Sequence, residues 1–168
     1  TNCNCREKTF SLAVVNPAMV IGPLLQPSLN TSCELLLRLF DGSRTSYPHA
    51  NMMFVDVRDV AASHLAAYEN PQASGRYLCI SCAVTYKEIC ASLRKLEQKV
   101  SGMKVPNQVK GYKPNEDPDY PPSGFSQFSN DKLKALGVSF RGIDEMVEST
   151  VHSLIEKNLF NPKAVASL

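Results

Sequence analysis

The sequence predicts an α/β fold, in which strands and helices alternate along the chain. Three short apolar runs, over residues 11–16, 53–57 and 76–82, have the length and residue types of strands. Each is followed, directly or after a loop, by a stretch in which apolar residues have helical spacing and a capping residue stands near the start. Such alternation is typical of a parallel sheet with helices packed on it.

The first predicted strand, Ser11 to Asn16, leads into a stiff loop. Its apolar run, Leu12 to Val15, does not alternate with polar residues, which indicates a strand buried on both faces. Three prolines then exclude regular structure from the loop: Pro17, Pro23 and Pro27. In open α/β sheets, ligands bind just beyond the carboxyl ends of strands, so this loop is the first candidate for a binding site.

Capping patterns predict where the helices begin. Thr31–Glu34 and Thr85–Glu88 both match the capping box, in which a hydroxyl and a carboxylate satisfy free backbone N–H groups. Asp59 is placed to cap a helix that runs to about Glu69. Gly42 is a plausible end for the helix that begins near Thr31.

The C-terminal third continues the pattern after a loop. Residues from Gly111 to Gly124 are rich in Pro, Asp and Asn, which predicts a surface loop. Ser129 then caps a short helix that ends at Gly137, and Val138–Phe140 is a possible short strand. An amphipathic helix is predicted over Ile143–Leu159. Its inner stripe comprises Met146, Val147, Val151, Leu154 and Ile155.

Composition narrows the class of protein. The 168 residues include 18 basic and 16 acidic side chains, for a net charge of +2, with no basic cluster, so nucleic-acid binding is not expected. No apolar run reaches the roughly 20 residues that span a membrane, and the start of the chain has no signal-peptide pattern. A soluble, cytoplasmic protein without membrane contact is therefore expected, and its oligomeric state is not indicated.

The cysteines favour a structural role over metal or redox chemistry. There are six of them: Cys3, Cys5, Cys33, Cys79, Cys82 and Cys90. Cys79 and Cys82 have CxxC spacing but lie in a strand-like run, whereas a redox pair needs a helix start to lower its thiol pKa. A zinc site would need four convergent ligands, such as this pair with Cys3 and Cys5. No metal is predicted, although a thiol or metal protein stays open as a third function.

Several stretches over roughly residues 7–160 form an ordered set of motifs. They are Asn16-Pro17 with Gly22-Pro23-Leu24-Leu25-Gln26-Pro27, Phe54–Ala61, Ala73–Tyr77, Phe128–Leu133 with Leu136-Gly137, and the final helix. Together they resemble the extended short-chain dehydrogenase/reductase family, and within it the cinnamoyl-CoA reductase and dihydroflavonol reductase group. The proline loop is more similar to the cinnamoyl-CoA reductase side.

The resemblance implies a C-terminal half. Three strands make a poor sheet of their own, and the chain is similar to the trailing part of a Rossmann-like doubly wound parallel sheet plus the small substrate-binding lobe. We expect one partial domain. Residues 1–100 would supply trailing strands and helices with interleaved lobe elements, residues 101–160 mainly the lobe, and residues 161–168 a frayed tail.

The family's catalytic machinery is not found in this sequence. Family members begin with a Gly-x-x-Gly-x-x-Gly turn that cradles the cofactor diphosphate, and they use a Tyr-x-x-x-Lys pair for proton transfer. None of the six tyrosines here is followed four residues later by Lys, and the eight glycines do not form that turn. Catalytic residues are therefore expected upstream of Thr1, and the chain alone is expected to be inactive.

The same resemblance assigns binding roles. Pro17, Ala18, Met19 and Val20 would lie against the nicotinamide and ribose of NADP(H), and Ser32 would contact the phosphate region. A stiff proline loop loses little entropy when it holds a planar ring. A plain strand-to-loop turn is the alternative for Pro17–Val20, and a helix N-cap is the alternative for Ser32. Substrate contacts would come from Leu24, Leu25 and Gln26.

Two functions from different classes follow. In the first, the chain is the C-terminal portion of an NADP(H)-dependent oxidoreductase of phenylpropanoid type. That enzyme would reduce a phenolic aldehyde, a ketone or an acyl-CoA thioester by hydride transfer. In the second, it is a catalytically dead truncated relative that acts as a binding or interaction protein.

Overall fold

The structure, a computed structural model, describes residues 11–110 and 128–162, and there strands and helices alternate as predicted. The loop predicted over residues 111–124 and the tail after Pro162 lie outside the described residues. The strands are β1 (Ala13–Pro17), β2 (Met19–Ile21), β3 (Ser46–Pro48), β4 (Asn51–Asp56), β5 (Gly75–Cys79), β6 (Cys82–Thr85) and β7 (Gln108–Lys110). The helices are α1 (Thr31–Leu37), α2 (Val57–Glu69), α3 (Tyr86–Glu97), α4 (Asp131–Lys134) and α5 (Ile143–Glu156).

The strands pair in three small sheets. β1 pairs with β5, β2 with β4 and β3 with β7, all in parallel, so the α/β class is confirmed. β6 pairs with β4 in antiparallel register, which a purely parallel sheet does not allow. The single strand predicted over residues 76–82 is therefore wrong. The chain leaves the β1–β5 sheet after Cys79, and the Ser81 N–H then bonds to the Phe54 carbonyl of the neighbouring sheet at 2.8 Å.

Within the described residues β1 is covered on one face only, whereas its apolar run predicts a strand that is packed on both faces once further strands and helices cover it. Ala13 and Val15 face a small core beneath the sheet, where α2 packs. Leu12 is 62% exposed and Val14 is 37% exposed, and Leu78 of β5 is exposed beside them. We call Leu12, Val14 and Leu78 the outer sheet face. Successive side chains of a strand point to opposite faces of the sheet, whatever their polarity. An unbroken apolar run is therefore fully buried only where other elements pack on both faces.

The helix starts confirm one predicted cap and correct two. The Thr85–Glu88 capping box forms in full. α1 is capped by Asn30, whose side chain accepts the Cys33 N–H at 2.9 Å, one residue before the predicted Thr31. α2 is capped by Asp56, which accepts the Arg58 N–H, and the predicted cap Asp59 is instead fully buried. In both corrections, a polar side chain with extended backbone stands immediately before the helix, as an N-cap must.

The C-terminal elements are shorter than predicted. α4 is a single turn after which the chain winds to Gly137, and residues 138–140 form no strand, because no neighbouring strand pairs with them among the described residues. α5 buries the predicted inner stripe except Ile155, which is partly exposed. The largest core joins α1, α3 and α5, where the rings of Phe40 and Phe160 meet edge to face at 5.0 Å.

Helix length bears on the membrane prediction. The longest helix in the described ranges, α5, has 14 residues, whereas a bilayer requires about 20. None of the described helices combines the length and the hydropathy of a membrane span.

Candidate functional site

The candidate cofactor residues lie at the carboxyl end of β1. The chain passes from β1 to β2 through Ala18, whose N–H bonds to the Cys79 carbonyl at 3.1 Å. The prediction of a loop without regular structure from Pro17 onward is therefore wrong, because Pro17 ends β1 and Met19–Ile21 form β2. Pro17 is exposed, and Ala18, Met19 and Val20 are half-buried. β1 and β5 run in parallel, so their carboxyl ends share one edge. The site is thus at the position where open α/β sheets bind ligands.

The loop after β2 alternates between the core and solvent. Leu24 is buried, and its side chain packs in the large core. Leu25 is 88% exposed, and Gln26 is half-buried. Leu24 therefore serves first as an anchor of the loop. Leu25 and Gln26 have the exposure that a substrate contact needs.

A small cleft brings four of the candidate residues together. It has a volume of about 80 Å³ and opens between the loop and the starts of α1 and α2. The candidates that line it are Val20, Leu24, Leu25 and Gln26, and Asn30, Cys33 and Val57 join them. Pro17, Ala18, Met19 and Ser32 are not among the lining residues. Ser32 is the second residue of α1 and half-buried, and the N-cap role falls to Asn30.

Helix α5 anchors the loop from below. The Gly22 N–H donates to Thr150 Oγ1 at 2.7 Å, and the Leu24 N–H donates to Ser153 Oγ at 2.9 Å. Both bonds are buried, so each satisfies a backbone donor that water cannot reach. The shape of the loop is therefore set by a helix more than 120 positions later in the chain.

Gly22 is required by both its conformation and its surroundings. Its φ of +117° is a backbone conformation that residues with a side chain rarely adopt. A Cβ at this position would stand 3.0 Å from Asp56 Oδ2. The loop therefore approaches the start of α2 as closely as a backbone without a side chain permits.

The carboxylate beneath Gly22 is neutralised by a neighbouring cation. Asp56 is fully buried, and its two oxygens accept from Arg58 Nε and Nη2, each at 2.8 Å. This bond to Asp56 raises the pKa of Arg58 above its ordinary value. Arg58 also contacts Ser149 Oγ at 3.2 Å and Glu145 at 3.5 Å. The pair thus joins α2 to α5 beneath the loop.

A second buried carboxylate lies one turn further along α2. Asp59 accepts the backbone N–H of Arg141 at 2.8 Å and forms an ion pair with the Arg141 guanidinium. Arg141 Nε also bonds to Glu145 at 2.9 Å. Asp59 is thus held by Arg141, whereas the capping role predicted for Asp59 belongs to Asp56.

Sequence reasoning missed Asn30, Asp56, Thr150 and Ser153. Asn30 and Asp56 carried a local signal, since each is a cap-forming residue directly before a helix. Thr150 and Ser153 carried a weaker signal in the sequence. They are hydroxyl residues within the buried face of an amphipathic helix, and buried hydroxyls need partners.

The thiols are arranged for packing. Cys79 is buried, with its Sγ 3.3 Å from Ser63 Oγ, and burial raises the pKa of both Cys79 and Cys82. A raised pKa opposes thiolate chemistry. Over residues 11–110 and 128–162, no three His, Cys, Asp or Glu side chains converge as metal ligands. Cys3 and Cys5 lie outside those ranges, so the proposed four-cysteine zinc site is not tested.

Several known proteins are similar to this chain in sequence. No protein-family model matches the chain. It is 38% identical over 156 residues to cinnamoyl-CoA reductase CAD2 of Medicago truncatula, covering 93% of this chain and 44% of that protein. It is 33% identical to dihydroflavonol 4-reductase of Dianthus caryophyllus, with 91% and 40% covered.

A solved structure has a similar fold. Gre2 of Candida albicans, solved in complex with NADPH, matches with a TM-score of 0.67 at 27% identity. The match covers 90% of this chain and 45% of that one. The chain spans less than half the length of the curated relatives described above.

Proposed function

We propose that this chain, which is similar to the cinnamoyl-CoA and dihydroflavonol reductases of the extended short-chain dehydrogenase/reductase family, is the C-terminal portion of an NADP(H)-dependent reductase. The intact protein would reduce the carbonyl of a phenolic aldehyde, a ketone or an acyl-CoA thioester. It would act in the cytoplasm, in phenylpropanoid metabolism. The residues upstream of Thr1 would supply the glycine-rich turn and the Tyr-x-x-x-Lys pair.

One observation carries the proposal. Pro17 to Val20 form a partly exposed apolar segment where β1 passes into β2, and Val20 lines the cleft that also holds Leu25 and Gln26. An apolar, proline-stiffened segment fits one face of a nicotinamide ring, because a flat ring needs a surface that does not rearrange. Ser32 is half-buried and precedes the cleft residue Cys33, and its hydroxyl is proposed to contact the cofactor phosphates.

Each part of this chain then has a distinct task. NADPH would supply the hydride that reduces the carbonyl carbon. Pro17, Ala18 and Met19 would orient the ring and exclude water from one side of it. Leu25 and Gln26 would contact the substrate, through an apolar surface and an amide respectively. The proton for the carbonyl oxygen would come from the tyrosine upstream.

A binding protein without catalysis is the second candidate. It is favoured by the lack of any Tyr-x-x-x-Lys pair in the sequence. The exposed apolar residues of the outer sheet face also suit a surface that another protein covers. Transcript sequence upstream of the Thr1 codon separates the two candidates. An in-frame glycine-rich turn and Tyr-x-x-x-Lys pair would favour the reductase, and a start codon close upstream would favour the binding protein.

The cofactor surface itself is tested by titration with NADPH. In the ¹⁵N-labelled chain, we expect the amide signals of Ala18, Met19 and Val20 to shift on addition of NADPH. Ala18→Glu should abolish the shifts, because it places a carboxylate on the surface that receives the ring. Ala61→Glu, on the exposed side of α2, is the matched control and should bind normally. NADPH-dependent shifts confined to other residues would refute the cofactor site.

Activity is tested by restoring the missing half. The N-terminal half of the Medicago truncatula cinnamoyl-CoA reductase, joined to this chain, should consume NADPH when a phenolic acyl-CoA or aldehyde is added. The same fusion with Ala18→Glu should not. A well-folded fusion that never consumes NADPH with either substrate would count against the reductase and in favour of a binding role.

A further inference from the structure

The loop after β2 turns two of its backbone donors into the protein. The N–H groups of Gly22 and Leu24 both point at α5, and both residues are buried. A buried donor without an acceptor costs roughly 1–3 kcal/mol, so the loop needs acceptors at two defined points. Thr150 and Ser153 provide them.

The direction of the Thr150 bonds is fixed by chemistry. Thr150 Oγ1 donates its own hydrogen to the Met146 carbonyl at 2.7 Å, as helix hydroxyls commonly do. Its lone pairs are then left to accept the Gly22 N–H at 2.7 Å. Because the hydroxyl bonds on both sides, it cannot rotate away without losing one bond. The Gly22 amide is thus held to a fixed point on α5.

The two anchors match the spacing of the loop. Thr150 and Ser153 are three residues apart, so they lie on one face of α5, separated by about 4.5 Å along the helix axis. Gly22 and Leu24 are two residues apart in the bend that follows β2, so their backbone can span this separation. The loop therefore crosses α5 with a bond at each end of a short segment, and Pro23 between them limits rotation.

The anchored segment lies between the two proposed ligand surfaces. Val20 and Ile21 precede Gly22, and Leu25 and Gln26 follow Leu24, so both surfaces are fixed by the same two bonds. On the opposite side, the Asp56 carboxylate fills the space next to Gly22. A displacement of about 1 Å in groups that position a substrate can lower a reaction rate about a hundredfold. The two hydrogen bonds to Thr150 and Ser153 therefore matter for the geometry of binding.

We infer that Thr150 and Ser153 are positioning residues, which hold the Gly22–Leu24 segment so that Val20 on one side and Leu25 and Gln26 on the other face the ligand together. The inference rests on the proposed NADP(H) site. Thr150 and Ser153 lie on α5 and do not line the cleft. The inference adds them to the residues that determine the affinity for NADPH.

The test uses the full ¹⁵N-labelled chain, with NADPH as the probe. Thr150→Val removes the hydroxyl at nearly constant volume, Thr150→Ser retains it, and His152→Ala alters an exposed neighbour on α5. We expect Thr150→Val to accelerate hydrogen exchange of the Gly22 amide at least tenfold and to weaken NADPH binding about tenfold. Thr150→Ser and His152→Ala should stay within about twofold of the unsubstituted chain.

A second amide separates loop release from general unfolding. The Arg141 N–H is also held by a side chain, Asp59, and it lies away from the loop. It should exchange at the same rate in the chain with and without Thr150→Val. If Thr150→Val accelerates both amides, Ser153→Ala takes its place, with the Leu24 amide as the reporter and the same expected changes.

The outcomes separate this inference from the proposed function. If neither the unsubstituted chain nor its fusion to the N-terminal half of the Medicago truncatula cinnamoyl-CoA reductase shows NADPH-dependent shifts, the proposed function fails and the positioning role fails with it. If that chain binds NADPH and Thr150→Val binds equally well while its Gly22 amide exchanges faster, only the positioning role is overturned. Unchanged exchange at Gly22 would show that the anchor itself is not formed.

Discussion

Asp59 and Arg141, which are 82 positions apart, form an ion pair whose carboxylate is fully buried. The pair joins the first turn of α2 to the segment just before α5. The same segment is also held by Ser81, whose hydroxyl donates to the Arg141 carbonyl. Arg141 thus connects the start of α2 to the segment that leads into α5.

Loss of the Arg141 side chain should be costly. In Arg141→Leu, the Asp59 carboxylate stays buried with only a backbone N–H as partner, so we expect the free energy of unfolding to fall by about 2–4 kcal/mol. Urea denaturation measures this change. Adding Asp59→Asn to Arg141→Leu should recover part of the loss, because the buried charge is then removed. The exposed pair of Arg38 with Glu34 is the control, and Arg38→Ala should cost under about 0.5 kcal/mol.

Gly22 and Gly137 offer a matched comparison of backbone strain. Both have positive φ, but a Cβ at Gly22 would meet Asp56, whereas a Cβ at Gly137 would meet nothing within 4 Å. We expect Gly22→Ala to lower the unfolding free energy by about 1–2 kcal/mol more than Gly137→Ala does. Thermal unfolding of the two variants decides the matter. Equal losses would mean that the carboxylate moves aside at no cost.

The two adjacent leucines of the loop should behave oppositely. Leu24→Ala leaves a cavity in the large core and should cost about 2–4 kcal/mol of unfolding free energy. Leu25→Ala should stay within about 0.5 kcal/mol, because its side chain is 88% exposed. Chemical denaturation of both variants gives the comparison. A large loss in Leu25→Ala would assign that side chain to packing and remove it from the proposed substrate contacts.

The ionisation of Asp144 should make the free energy of unfolding depend on pH in the acid range. The Lys95 ammonium at 2.7 Å, followed by the Ser92 hydroxyl at 2.7 Å, lowers the pKa of its carboxyl. A carboxyl with a lower pKa in the folded state contributes stability above its unfolded pKa and loses it as pH falls through its folded pKa.

The Asp144→Asn variant tests this dependence. It should be less stable than the unsubstituted chain at neutral pH by under about 1 kcal/mol, since the Asp144 side chain is 61% exposed. The difference should shrink as the pH falls through the lowered pKa of Asp144, because its carboxyl is then protonated. Urea midpoints measured at neutral and at acid pH give the comparison, and a difference independent of pH would contradict the assignment.

Local signals in the sequence predicted much of the fold. The capping box at Thr85 and the inner stripe of α5 were predicted because their determinants lie within one or two turns of helix. The burial of both faces of β1 stays a prediction, because it depends on elements that pack against each face, and an apolar run does not identify those elements. The break between β5 and β6 was missed for a similar reason, since it depends on a bond from Ser81 to a different strand.

The candidate site divides in the same way. Its position follows from the proline loop and the strand before it, both of which are visible in the sequence. The contacts that hold the site in place could not be predicted from the sequence, because Asp56, Thr150 and Ser153 reach the loop from elements distant in the chain. Leu24 and Leu25 illustrate most directly what could not be predicted from the sequence. A run of two leucines does not reveal that one enters the core and the next is exposed.

The anchoring of the loop by α5 also sets an order of events during folding. The bonds from Gly22 and Leu24 close over 128 and 129 positions, and contacts of such separation form late because of the entropy of loop closure. During synthesis, the residues around Gly22 leave the ribosome well before α5 does. The proposed cofactor surface would therefore reach its final shape only when α5 docks. A nascent chain that stops short of Thr150 would hold every residue of that surface without its geometry.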